Sequence, residues 1–284
     1  MSSFSPIVHR HTATEMGLIV NVFLVETRNG VVVIDGAIAR SSSKAVRTLI
    51  SNTIRKPLLA VLLTHGHPDH YMGVAEIIDT DNVNFYALQG AIDQAKLRDA
   101  EESTGMQTAF GDNFPQQRIF PNRVVEDREC IDIDGITFCI HNYGACESDS
   151  DGVWFFGETG SQTVFCGDLI YNHMHLFMKD GHAQNWLRGL DRLYREFDQN
   201  VVFHPAHGET CGKEAIFWAK AYIQMYLGTL SELLNGRDTL NADEKAKLIA
   251  ALISFLPNNN LLELAQFKLD ETVKILSRVI TASN

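Results

Sequence analysis

The hexapeptide His65-Gly66-His67-Pro68-Asp69-His70 packs four metal-capable side chains into six residues. It follows Leu58 to Leu63, a near-continuous apolar run that reads as a buried strand. It precedes Gly73 to Ile78, which reads as a short helix. In an extended stretch, residues 65 and 67 project to the same side. Asp69 and His70 fall on the turn into the next helix and project to a neighbouring point. Two donor pairs offset in this way suit two adjacent cations. Imidazole suits Zn, Fe or Mn, and carboxylate adds charge balance. Gly66 and Pro68 suit a tight, rigid loop. With 11 histidines in 284 residues, three in one hexapeptide beside an aspartate is not the pattern of chance surface placement.

Around this cluster the chain alternates strands and helices. Leu18 to Glu26 and Val31 to Asp35 read as strands joined by Thr27-Arg28-Asn29-Gly30, where Asn-Gly marks a hairpin. Ser41 to Ile50 reads as a helix whose serine run can cap its start. A second strand-rich stretch covers Cys130 to His141, Val153 to Phe156 and Thr163 to Cys166. The amphipathic helix Gln184 to Phe197 follows, then a short strand, Val201 to Phe203, that leads into His204-Pro205-Ala206-His207-Gly208. Strands, a helix and a metal-type loop thus occur twice in the same order. Ala91 to Asn122 starts as a polar helix and becomes a loop at Gly105, Gly111, Pro115 and Pro121, a lid or substrate wall on one reading and a surface loop on the other. After His207 the chain turns helical. Glu214 to Asn235 carries Phe217, Ile223, Leu227, Leu230 and Leu234 at helical spacing and stops at Gly236. Asp243 to Leu256 and Leu262 to Ile280 continue the pattern, and these stripes favour packing on the main body over partner binding.

Composition narrows the function classes. The formal net charge of -11 disfavours a phosphate backbone as partner, so nucleic acid is not expected. No apolar run is long enough to span a bilayer. The start, Met1 to Pro6, lacks a basic segment followed by an apolar one, so a secretory signal is not expected. The five cysteines, Cys130, Cys139, Cys146, Cys166 and Cys211, show no CxxC spacing. Their odd number suits reduced, buried thiols and a cytoplasmic location.

The pattern HxHxDH after an apolar strand resembles the metallo-β-lactamase superfamily. Val164-Phe165-Cys166-Gly167-Asp168 resembles the strand that carries the family's bridging aspartate. His207, in Ala206-His207-Gly208, resembles its last histidine ligand. Val31 to Gly36 resembles the family's strand ending in Asp-Gly, which implies a supporting role for Asp35. The resemblance covers roughly residues 7 to 210. It implies an α+β fold, the four-layer αββα sandwich, with the metals at one edge between the sheets. Residues 1–210 would form the catalytic domain and 211–284 a C-terminal helical extension packed on it, one that could also build a homodimer.

One position departs from the family. No histidine stands in Tyr143 to Asp149, where the third ligand is expected. Glu147 is favoured there over His141, which lies too early, still within a strand. A comparable glutamate occurs in the alkylsulfatase-like branch, and Tyr171-Asn172-His173-Met174-His175 resembles that branch faintly. The resemblance implies one metal on His65, His67 and Glu147 and a second on Asp69, His70 and His207, with Asp168 shared. Zn is favoured, with Mn or Fe made more competitive by the extra carboxylate. That carboxylate should also raise the pKa of a bridging water and shift the rate optimum to alkaline pH. Asp69 is expected to bind metal and orient the nucleophile, and His175 or His173 to assist the leaving group, with ordinary loop histidines as the alternative. His204 is expected to be structural, and His9 and His11 solvated. The favoured function is a dinuclear metallo-hydrolase that cleaves an ester, thioester, lactone or sulfate ester in a small-molecule substrate by a metal-activated bridging water. The alternatives are a non-haem iron oxidoreductase of the same fold and a non-catalytic scaffold.

Overall fold

The Asn29-Gly30 turn closes a hairpin between β2 (Asn21–Glu26) and β3 (Val31–Ile34), with the Thr27 amide donating to the Gly30 carbonyl at 2.8 Å. The structure, a computed structural model, describes residues 4–14, 18–78 and 83–283. Met1 to Ser3, on which the expectation about a secretory signal partly rests, lie outside the described residues. Outside the hairpin, β1 (Ile7–Thr12) pairs antiparallel with β2. On the other side β4 (Leu58–Leu62), β5 (Asn84–Leu88) and β6 (Arg123–Val125) extend the sheet in parallel, giving the order β1-β2-β3-β4-β5-β6. The parallel strands β3 and β4 are near-continuous apolar runs because both their faces are covered.

The second sheet starts at Asp134-Gly135, both in left-handed conformation, the two-residue turn that matches strand twist. It joins β7 (Cys130–Ile133) to β8 (Ile136–Gly144). Then β9 (Asp151–Phe156), β10 (Thr163–Asn172) and β11 (Val202–Gly208) complete the order β11-β10-β9-β8-β7. Side chains on this sheet alternate between two cores, as a pleated strand requires. Phe138, Ile140, Trp154 and Phe165 point to the core shared with the first sheet. Val153, Val164 and Cys166 point to a second core.

Helices cover both outer faces. On the first sheet these are α1 (Arg40–Thr48), α2 (Pro68–Tyr71), α3 (Val74–Ile77) and α4 (Gln89–Phe110). On the second they are α5 (Ala183–Glu196), α6 (Glu214–Leu234), α7 (Ala242–Phe255), α8 (Leu262–Gln266) and α9 (Leu269–Ser283). The C-terminal helices share the second core: Tyr222, Leu230, Leu248 and Leu276 are buried with Trp186 and Leu190 of α5. The result is the α+β sandwich of helices, sheet, sheet, helices. No helix of the described residues is long and apolar enough to cross a membrane.

Several expectations are corrected. Cys130 and Cys139 are joined in a disulfide, so three cysteines rather than five are free. The two lie directly opposite each other in the β7–β8 hairpin, which brings their Cα atoms to 4.0 Å. Gly105 does not end a helix: α4 runs through it for 22 residues, and its irregular continuation starts only at Gly111. Gly105 faces open space, where a single glycine costs a helix about 1 kcal/mol. The serine run does not cap α1; the cap is Ala39, and the Ser43 hydroxyl turns inward to the Ala39 carbonyl. Leu18 and Ile19 have left-handed backbones, so β2 begins only at Asn21. The helix expected over 262–280 breaks at Phe267 and Lys268. Phe217 lies on the exposed side of α6 against Tyr194, off the buried stripe. His9 is not freely solvated but pairs with Glu26 at 2.8 Å, and His11 is half-buried.

The sheets are stitched together at one edge. The Trp154 indole donates to the Leu63 carbonyl at 2.9 Å, and the Gly152 amide donates to the Thr64 carbonyl at 2.8 Å. Trp154→Phe leaves the buried Leu63 carbonyl without its indole donor. Chemical denaturation should show a loss of about 1–3 kcal/mol from that orphaned group alone. Thiol titration in denaturant should count three free thiols before reduction and five after it; five before reduction would disprove the Cys130–Cys139 bond.

Candidate metal centre

Leu63 and Thr64 follow the apolar strand β4, and the chain leaves the sheet extended before Pro68 opens α2. His67 keeps an extended backbone, so the rings of His65 and His67 lie on one side, their centroids 4.8 Å apart. The turn of α2 then swings Asp69 and His70 to the adjacent point. Gly66 is required here: a Cβ would meet the Ala91 carbonyl and the Ala95 amide of α4 at 2.6 Å. The Gly66 amide also donates to Gln94 of α4 at 3.1 Å.

The other donors come from the second sheet. Asp168 follows Gly167, which has φ +52° and whose Cβ position is filled by Thr64. Glu147 stands in the loop between β8 and β9. That loop is held by the buried Asp151, whose carboxylate accepts from the Cys146 and Ser148 amides and the Ser148 hydroxyl, all at 3.0 Å. His207 sits at the end of β11, where Asn21 donates to the carbonyls of Pro205 and Gly208. The His207 ring stacks on Tyr171 at 4.8 Å.

These residues form two adjoining donor groups. His65, His67, Glu147 and Asp168 offer ligand atoms within 4.8 Å of one another, and so do Asp69, His70 and His207. Asp168 links the groups: its carboxylate lies 3.9 Å from His65 Nε2, 3.5 Å from His70 Nε2 and 3.4 Å from His207 Nε2. All seven side chains are buried. The atoms His65 Nε2, His70 Nε2, Glu147 Oε2 and Asp168 Oδ1 are buried without a hydrogen-bond partner among the described residues. Buried polar atoms of this kind cost too much to leave unpaired, and two soft and hard donor types aimed at common points fit divalent cations.

Carboxylates behind the ligands orient the rings. Asp35 accepts from the Thr64 amide and hydroxyl at 2.8 Å and contacts His70 Nδ1 at 3.0 Å. Thr64 in turn contacts His65 Nδ1 at 3.0 Å. Asp35 itself holds a left-handed backbone at φ +60°, a conformation that aspartate tolerates better than most residues. His67 Nε2 faces Asp180 at 2.9 Å, and Arg98 clamps that carboxylate with bonds of 2.7 and 2.8 Å. The Tyr171 hydroxyl donates to Asp168 at 2.6 Å and lies 3.2 Å from Glu147.

The charges answer one another. Burial pushes Glu147 up to about 8, against the pull of the His67 ring. Burial opposes a charged His207, but Asp168 and Asp69 outweigh it and raise the ring to about 9. Burial likewise opposes charge on His67 and His70, and neighbouring carboxylates reverse it, raising both well above the usual histidine range. His65 goes the other way, driven well below that range by burial and then by His70.

The centre opens on a cavity of about 80 Å³ lined by His67, Asp69, Asp168, Tyr171 and His207 together with Arg98, Glu102 and Lys179. Leu18, Ile38, Met106, Leu264 and Phe267 continue the lining into a wider groove of about 710 Å³ between α4 and α8. The stretch 91–122 therefore supplies a wall through its helix rather than a loop.

Sequence reasoning placed His65, His67, Asp69, His70, Glu147, Asp168 and His207, and the structure brings all seven together. His175 it does not. That residue is fully buried, and its ring nitrogens are occupied by the Tyr222 hydroxyl at 2.9 Å and the Asn258 carbonyl at 3.0 Å. It does not line the cavity, so the expectation that it assists the leaving group is corrected. His173 packs on Trp218. His141 stays in β8 beside Glu196 at 3.3 Å, and the half-buried His204 stacks on Phe165. Asp180, Arg98, Lys179 and Tyr171 were missed. No local pattern marks the first three, whereas Tyr171 follows Asp168 by three residues and was within reach.

Metal uptake should depend on pH with a definite sign. A cation needs neutral His207, whose pKa is raised to about 9, so binding displaces a proton below that value. Affinity for Zn, measured by chelator competition, should rise with pH and flatten near 9; a flat profile from 6 to 9 would contradict the geometry.

Residues 16–207 match the family described as the metallo-beta-lactamase superfamily. A linear primary-alkylsulfatase from Pseudomonas sp is 32% identical over 92 residues, which is 30% of this chain and 14% of that protein. Among solved structures, a beta-lactamase domain protein from Burkholderia ambifaria is similar with TM-score 0.68 and 16% identity, covering 97% of this chain and 87% of that one. A stereoselective inverting sec-alkylsulfatase from Pseudomonas sp. is similar with TM-score 0.64 and 17% identity, covering 95% of this chain and 48% of that one. The chain thus spans about half of that alkylsulfatase structure and a smaller part of the curated relative.

Proposed function

Since the chain belongs to the metallo-beta-lactamase superfamily, we propose that it is a hydrolase with two divalent cations that cleaves sulfate esters carrying an apolar group. The observation that carries this reading is the convergence of seven buried donors in two adjoining groups, four of whose atoms have no hydrogen-bond partner among the described residues. His65, His67 and Glu147 would hold one cation, Asp69, His70 and His207 the other, with Asp168 between them. Zn suits the imidazoles, and the third carboxylate makes Mn or Fe competitive. Such cations supply Lewis acidity and lower the pKa of water.

The protein's own groups supply the rest. Asp69 faces the cavity, with one carboxylate oxygen 3.7 Å from His70 and the other 3.3 Å from His207, and can accept a hydrogen bond from the attacking water. Lys179, 3.6 Å from Glu102, places an ammonium in the lining of the cavity, where it attracts an anionic head group. The groove beyond is lined by Ile38, Met106, Leu264 and Phe267 and favours an apolar tail over a polar one. Head and tail together fit a sulfate ester better than a lactone or a small thioester. The glutamate at the third ligand position and the partial similarity to alkylsulfatases support the same choice. The cytoplasmic location expected from the thiols has lost one of its supports, since two of those thiols are paired.

The test is metal analysis of the purified protein with a panel of alkyl sulfates, carboxylic esters, thioesters and lactones. Two equivalents of metal and a preference for alkyl sulfates are expected. Oxygen consumption with iron in place of hydrolysis would instead indicate the oxidoreductase alternative. Glu147→Gln should reduce uptake to about one equivalent and lower kcat/KM by roughly 10²-fold or more, the scale of losing a group that stabilises developing charge. Unchanged stoichiometry and rate would remove Glu147 from the ligand set.

A further inference from the structure

A neutral imidazole has one nitrogen that donates and one that accepts, and its neighbours decide which is which. His67 lies between two carboxylates. Its Nδ1 is 3.2 Å from Glu147, in the donor cluster, and its Nε2 is 2.9 Å from Asp180, outside it. In the neutral ring that a bound cation requires, Glu147 and Asp180 compete for the one remaining proton. A proton on Nδ1 would bond Glu147 and block the lone pair that a cation needs. A proton on Nε2 leaves that lone pair free and aimed into the cluster.

The surroundings favour Asp180. Its carboxylate is 3% exposed and fixed by two bonds from the Arg98 guanidinium, at 2.7 and 2.8 Å. One of its oxygens thus accepts from Arg98 and faces His67 at the same time. Arg98 is itself anchored by Glu102 one turn further along α4, at 2.9 Å. The helix is set against the hexapeptide by the Gln94–Gly66 bond and by the close approach at Gly66. A chain of bonded groups thus runs from α4 through Arg98 and Asp180 to one ring of the cluster.

We infer that Asp180 is a positioning residue, held by Arg98, that keeps the His67 proton on Nε2 and so turns Nδ1 into a metal donor. The inference rests on the reading that the cluster binds cations. Carboxylates behind metal-bound histidines typically contribute 10- to 100-fold to affinity. Asp180→Ala should therefore weaken one of the two cations by roughly that factor. The cation on His70 and His207, which Asp35 supports, should be unaffected. Asp180→Asn, which can still accept from Nε2 but has no charge, should show a smaller loss of the same cation.

The experiment is stepwise zinc binding to the full-length protein by chelator competition, with circular dichroism to establish folding. Nitrogen-15 NMR of the zinc-loaded protein should show an exchange-protected His67 Nε2 proton that disappears in Asp180→Ala. Should Asp180→Ala not fold because Arg98 loses its partner, the double variant Asp180→Ala with Arg98→Met removes both charges together and carries the same expectation. Folded variants that bind both cations as tightly as the wild type would overturn the role of Asp180. Equal weakening of both cations would overturn it as well, by pointing to general loosening of the site. A wild-type protein that takes up no divalent cation would instead overturn the reading of the cluster itself.

Discussion

Three carboxylates and four imidazoles cannot share a water-poor space unless positive charge lies between them. That constraint governs the rest of the molecule. Isolated buried carboxylates would be forced to take up protons, as burial does to Glu147, while rings beside them are forced to keep theirs, as happens at His207. The fold holds this arrangement by drawing donors from both sheets. One sheet contributes the hexapeptide, the other Glu147, Asp168 and His207. The backbone bond from Gly152 to Thr64 and the indole bond from Trp154 to Leu63 lock the two halves just where the donors leave the strands. A slip of either sheet would separate like from unlike charge, so the packing of the sandwich and the electrostatics of its edge stabilise each other.

Much of this was legible in the residues. The hexapeptide announced a metal site because its donors are local, and local spacing survives any global fold. Asp168 and His207 were legible through the strand and turn that carry them. Glu147 was chosen over His141 because a strand continues through His141, and the structure keeps that ring in β8 beside Glu196. The β7–β8 hairpin was legible too but went unread. Asp134-Gly135 is a two-residue turn signal, and counting outward from it pairs Cys130 with Cys139. Register, not the number of cysteines, decides which thiols meet.

Other features had no local signature. Asp180 lies 113 residues from His67 and 82 from Arg98, and nothing in the spacing of those three residues anticipates their meeting. Helix α4 read as half loop because Gly105 and a polar composition weaken its pattern. Its continuity comes from its packed first turns, with Ala91, Ile92 and Ala95 buried in the main core. His175 had the residue type and the neighbourhood in sequence for chemistry. Its burial under Tyr222 and the Asn258 carbonyl, set by the C-terminal helices, makes it a clamp for that extension.

The groove between α4 and α8 leads to a separation of labour. The cation donors sit on β10, near the end of β11, in the β8–β9 loop and on the turn from β4 into α2, while the groove walls are Met106 on α4, Leu264 on α8 and Phe267 at the break after α8, segments that contribute none. One wall, α8, comes from the C-terminal extension, outside the stretch that matches the family. What enters can thus be recut by changing helical residues, with no cost to the charge balance of the centre. Relatives that share the hexapeptide could differ in the length and shape of the molecules they accept through their appended helices alone.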